Sequence, residues 1–204
     1  PVPLLLLSIV ACHSFPQLHF HHTFLPLPGK NSFGLFINKE WMPKTFFRSM
    51  KGMLYNGDYE PVKSEDFLKL FEGVDKLVVK PAKDMGGKGV TLFTRNNKGI
   101  FTDNKGKELN LEYLEKTYKT EYLIQECIKQ SEYMAQFNPT SVNTLRIAVY
   151  RDVKTGALEV IGAVIRIGGK GSFVDNICSG GSFIYVDNNS DILYNLTKEN
   201  IWRA

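Results

Sequence analysis

The sequence predicts an α+β protein assembled from antiparallel β-structure with a few short helices. Three observations predict it. Short apolar runs rich in β-branched residues recur between polar turns, as in "KLVVK", "VTLFT" and "EYLIQECI". Two segments, "KSEDFLKLFEGVD" and "NLEYLEKTY", carry apolar residues at helical spacing. The stretch "NTLRIAVYRDVKTGALEVIGAVIRIGG" sets two long β-branched runs on either side of one glycine turn and reads as a hairpin.

A chain of 204 residues, 43% hydrophobic and 23% charged, has enough apolar surface for one sizeable core or two smaller ones. Its net charge of +4 comes without any run of lysine or arginine, so a discrete anion site fits better than a nucleic-acid track. Cys12, Cys127 and Cys178 are odd in number and form no C-x-x-C pair. Neither a disulfide framework nor a zinc site is written in them, and reduced thiols in the cytoplasm are the expectation.

Residues 1–30 are proline-rich and irregular and are set apart from the fold. The apolar run from Leu4 to Cys12 is too short to span a bilayer. It has the length of a signal-peptide core, and "IVAC" is similar to a lipoprotein cleavage site, so secretion stands as the alternative location. His13, His19, His21 and His22 lie in this extension without acidic ligands, and no metal site is assigned to them. Residues 31–73 form a lead-in with a short helix, predicted with Ser64 as its N-cap, Glu65 and Asp66 in its first turn, Phe67, Leu68, Leu70 and Phe71 apolar, and Gly73 as its stop. "KLVVK" then reads as a buried strand, "VTLFT" as the next, "NLEYLEKTY" as a helix capped by Asn110, and "EYLIQECI" as a strand running into a connector.

Between the first two strands lies "DMGGKGV". A Walker loop and a dinucleotide fingerprint both need a helix after the glycines, but Lys88 is followed by Gly89 and a strand. Gly86, Gly87 and Gly89 let backbone amides approach an anion and let the loop close over it. Lys80, at the end of the buried "LVV" run, would project from a rigid strand toward whatever the loop covers. A fixed cation under an amide-rich flap suits a polyphosphate; a plain glycine hairpin with solvated lysines is the alternative.

Parity along the long hairpin places Arg146 with Ala148 and Tyr150, and Arg166 with Val164 and Gly162. If the turn pairs Val153 with Ala157, Arg146 faces Val164 and Arg166 is its diagonal neighbour, about 7–8 Å away between Cβ atoms. Two guanidiniums so close imply an anion between them, or else each reaches solvent or a remote acid. The loop "GSFVDNICSGGSF" follows, bringing Asp175, Asn176, Gly180 and Gly181 beyond Arg166; a simple Asx turn is the plainer reading of "VDN".

The ordered set "LVVKP", "MGGKGV", "LIQECI", "SVNTLRI" and "RIGGKGSFVDNICSGG" resembles the ATP-grasp superfamily, most closely its sugar-transfer-associated family. A looser likeness is to ligases that add glutamate to protein or peptide termini. The resemblance implies two α+β subdomains with antiparallel sheets that grasp ATP, a small one at 74–128 with a glycine-rich lid and a partial second one at 129–204. It implies that Lys80 contacts the α and β phosphates and that 84–90, with Gly86, Gly87, Lys88 and Gly89, is the lid. Gln125, Glu126, Cys127 and Ile128 would present backbone groups to adenine. Arg146 and Arg166 would hold the terminal phosphate and the acyl intermediate, with Asp175, Asn176, Gly180 and Gly181 near the acceptor; Lys170, in the second GGKG, receives no role.

The family chemistry uses ATP and Mg²⁺ to activate a small-molecule carboxylate as an acyl phosphate, which an amine or sugar-linked acceptor attacks. The resemblance thus implies a carboxylate–amine ligase linked to polysaccharide or peptide modification, with a non-catalytic nucleotide- or phosphate-binding module as the alternative. The family's metal ligands, an Asp and a Glu-x-Asn pair, belong after the region of Asp187. "TKENIWRA" offers only the adjacent Glu199 and Asn200, so the fold is expected to be incomplete at its C-terminus, with the Mg²⁺ ligands outside this chain.

Overall fold

The computed structural model describes residues 7–11, 29–84, 87–152, 154–175, 180–186 and 192–197. Among them the strands are β1 (Leu7–Ala11), β2 (Thr45–Met50), β3 (Met53–Asn56), β4 (Lys76–Pro81), β5 (Thr91–Arg95), β6 (Phe101–Thr102), β7 (Glu121–Glu126), β8 (Thr144–Arg151), β9 (Leu158–Ile167), β10 (Ser182–Val186) and β11 (Ile192–Thr197). Short α-helices are α1 (Phe33–Phe36), α2 (Leu111–Tyr118) and α3 (Glu132–Ala135). The fold is α+β, as the sequence predicts, and divides into two compact units, one His22–Ile128 and the other Pro1–His21 with Lys129–Ala204.

In the unit 22–128 an antiparallel sheet runs in the order β3-β2-β7-β4-β5-β6. β4 lies inside it because Leu77, Val78 and Val79 are apolar on both faces and all three are buried. Phe47, Phe67 and Phe71 meet edge to face beneath the sheet, with centroids 4.9 and 5.1 Å apart. α2 begins where predicted: Asn110 Oδ1 accepts from Tyr113 N at 2.8 Å and caps it. The segment Ser64–Phe71 differs from the prediction. It winds as a 3₁₀ helix with Lys63 as its N-cap and no side-chain cap bond. Burial of Phe67 and Phe71 on Phe47 sets its path in place of the local capping preference, and Leu68 stays exposed. β2 and β3 were not legible in the sequence, because Arg48 interrupts the apolar run of "TFFRSM".

In the other unit the order is β1-β8-β9-β10-β11, with β1 parallel to β8 and the remaining pairs antiparallel. β1 thus falls in the stretch set apart as irregular. Arg146 faces Val164, the register expected from the turn. The route to that register differs. Asp152 N donates to Ala157 O at 2.9 Å, one residue away from the expected closing pair, and Gly156 takes φ 72°. A β-bulge then leaves Ile161 between the partners of Ala148 and Val149 and restores the alignment.

Candidate functional site

Lys80 leaves the end of β4, beyond the three buried residues that hold the strand rigid. Gln125 stands opposite Val78 on β7, diagonal to Lys80 on the same face. Lys80 Nζ donates to Gln125 Oε1 at 2.9 Å, while Gln125 Nε2 donates to Thr45 Oγ1 at 3.0 Å and Pro43 O at 3.4 Å. The buried amide is thereby held by its own donors and aims the ammonium. Burial pulls the Lys80 pKa down, the charge of Lys30 pulls it further, and Cys127 opposes weakly.

Lys30 is the residue that sequence reasoning missed. Its backbone N–H donates to Ala82 O at 2.9 Å, and its Nζ donates to Pro81 O at 3.0 Å and to Asp84 O. Gly29 makes this approach possible: φ is 59°, and a Cβ there would lie 2.6 Å from Ala82 O. Burial lowers the Lys30 pKa, with Asp84 opposing. A lysine in a proline-rich lead carries no period or motif, so no local signal marks it. Only the fold brings it to the foot of the glycine loop.

The loop itself links β4 to its antiparallel partner β5. Gly87 and Gly89 adopt φ 73° and 72°, and Val90 N closes a turn on Gly87 O at 3.2 Å. Lys88 at its tip is exposed. Gly86 lies outside the described residues. In the connector, Glu126 N donates to Lys44 O at 2.9 Å and Lys44 N donates to Glu126 Oε1 at 2.7 Å, so this residue is already paired with the start of β2. Cys127 and Ile128 are half-buried; burial pushes the Cys127 thiol up, with Lys76 and Lys80 opposing.

In the unit that contains residues 129–204, Thr144 faces Arg166 across the β8–β9 pair and Arg146 is diagonal to Arg166. Arg166 Nη2 donates to Asp175 O at 3.0 Å and lies 3.4 Å from Asp175 Oδ1, both side chains being nearly buried. Thr144 Oγ1 donates to Asp175 Oδ2. Asp175 stands as a counter-ion of Arg166. Arg146 Nε has no hydrogen-bond partner among the described residues. Its pKa is lowered by burial first and by Arg166 second, with Asp175 opposing. Among the described residues Asp175 stands against Arg166 and is felt by Arg146, whose Nε keeps no hydrogen-bond partner. Gly180, exposed at φ 85°, and buried Gly181 lead into β10, which pairs Phe183 with Arg166. Asn176 lies outside the described residues.

A family model for sugar-transfer associated ATP-grasp proteins matches residues 42–202. The chain belongs to that family. Neither the curated proteins nor the solved structures gave a significant match. ATP-grasp proteins generally use ATP and Mg²⁺. Among the described residues no group of three Asp, Glu, His or Cys side chains is placed to hold a metal ion. Among the same residues no helix is long and apolar enough to cross a membrane.

Proposed function

We propose that the chain binds ATP and serves the activation of a small-molecule carboxylate for transfer to an amine or sugar-linked acceptor, in polysaccharide or peptide modification. The observation that carries this reading is the pair Lys30 and Lys80. Both ammonium groups are partly desolvated, they repel each other, and neither has a carboxylate salt bridge among the described residues. Such a pair costs free energy in the empty protein and gains it when a polyphosphate neutralises both. Gly87 and Gly89, at positive φ in the loop after β4, add backbone donors of the kind that cradle phosphate oxygens.

In this reading Lys30, Lys80 and the loop at 84–90 hold the phosphate chain, and the connector 125–128 meets the base. In the unit that contains residues 129–204, Arg146 offers a cation to an anionic substrate group, with Arg166 held beside it by Asp175. A carboxylate oxygen attacks the γ phosphorus, the bond to the β-phosphate oxygen breaks, and ADP leaves. The acceptor nitrogen then attacks the acyl carbon and inorganic phosphate departs with the bonding pair.

ATP titration with and without Mg²⁺, followed by ADP release on a panel of carboxylates, tests the reading. Saturable ATP binding that Lys80→Ala weakens supports it, and binding indifferent to Lys80 overturns it. Binding that ignores Mg²⁺, with no ADP release on any acid, assigns the chain to the non-catalytic alternative.

A further inference from the structure

The second GGKG, at 168–171, is wired into a buried polar network that the proposed chemistry leaves unexplained. Asn143 is buried at the start of β8 and uses both ends of its amide. Its Nδ2 donates to Met134 O at 2.8 Å and Asn138 O at 3.0 Å. Its Oδ1 accepts from Ser141 Oγ at 2.5 Å and from Gly168 N at 3.2 Å. Gly168 N also reaches Ser141 Oγ at 3.3 Å, and Asn138 Nδ2 donates to Gly168 O at 2.7 Å and Gly169 O at 3.0 Å. The backbone N–H of Asn143 is taken by Gln130 Oε1 at 2.6 Å.

A network in which a buried amide satisfies all its donors and acceptors holds one geometry, because any displacement strands a polar group away from water. The geometry held here is that of the loop leading to Asp175. Further along, Thr140 Oγ1 donates to Ser172 O at 3.2 Å, and Ser172 Oγ and Val174 N bind each other's residues at 2.7 and 3.2 Å. Asp175 then arrives between Thr144 and Arg166, while its charge is also felt by Arg146.

We propose that Asn143 is a positioning residue of the anion site: it fixes the second glycine loop so that Asp175 stays on Arg166, and so leaves Arg146 to meet an anionic substrate group. The inference rests on the reading of Arg146 as an anion-binding cation. Without the network, Asp175 is released to pair with either guanidinium and competes with the substrate anion.

Inorganic phosphate is the probe, titrated into the full chain. Asn143→Ala is expected to weaken phosphate about fivefold or more, the size of coupling between residues in one network. Adding Asp175→Asn in that background restores the affinity, which a merely structural role would not. No loss in Asn143→Ala with the β8–β9 pairing intact, or a loss that Asp175→Asn fails to recover, overturns the proposal. Ser141→Ala removes one strut and carries the same pattern at smaller size should Asn143→Ala not fold. Arg146→Ala separates the two readings: unchanged phosphate affinity there defeats the anion-site reading. Guanidinium ¹⁵N spectra of Arg166 still score the positioning, which stands if restrained rotation is lost in Asn143→Ala and falls if it persists.

Discussion

At Gly168 an added methyl group would lie 2.5 Å from Ser141 Cβ, 2.6 Å from its hydroxyl and 2.8 Å from Val174 O. At Gly89, in the first GGKG, the nearest atom is Pro81 Cγ at 3.1 Å, and no backbone atom crowds the site. The two loops share a tetrapeptide but are held in different ways. The first is tied at its foot by Lys30 and presents glycine backbone at positive φ, with an exposed lysine at its tip. The second is gripped along its length by Asn138, Ser141 and Asn143. Glycine thus does two jobs: conformational freedom in one loop, and room for a neighbour in the other.

The most severe test of this contrast is Gly168→Ala. It forces a methyl against Ser141 and Val174 and should destabilise its unit by about 2–4 kcal/mol in denaturant melts, whereas Gly89→Ala should cost about 1 kcal/mol through its positive φ alone. Equal costs would erase the distinction. Next in size is ligand binding: Lys80→Ala should weaken ATP by about 1–3 kcal/mol in calorimetry with the melting curve little changed, since a charge-assisted contact is lost from a side chain outside the core. Gly89→Ala should weaken ATP by a smaller margin, about 0.5–1 kcal/mol, if the first loop must rearrange over phosphate.

The smallest and sharpest effect is in pH. Burial and Lys30 hold the Lys80 pKa below its ordinary 10.5, so ATP affinity should fall on the alkaline side as pH rises through that lowered value. Lys30→Met removes one of the causes and should move this limb to higher pH, even though it also weakens binding overall. A limb that stays in place would show that the two lysines do not act on one another.

Much of this was written in local pattern. The buried "LVV" run placed Lys80 at a strand end, the Asn110 cap started its helix where expected, and side-chain parity with the turn put Arg146 opposite Val164. The hairpin turn closes one step from the expected pair, and the alignment survives because a bulge at Ile161 compensates for it. The 3₁₀ winding of 64–71 escaped because burial of two phenylalanines outweighs a capping preference of about 1 kcal/mol. Lys30 and the Thr144–Asp175 contact escaped because each joins residues with no shared period: Lys30 meets Pro81, and Thr144 meets Asp175.

The sequence by itself determined the strands β4, β5 and β7, the β8–β9 hairpin, the glycine loops and the order of motifs that mark an ATP-grasp chain, because apolar periodicity and glycine backbone freedom act over neighbouring residues. The tertiary structure alone decided which lysines have no carboxylate salt bridge among the described residues, which arginine pairs with Asp175 and which GGKG is pinned. Those outcomes depend on burial and on hydrogen bonds between segments tens of residues apart, and a linear pattern carries neither.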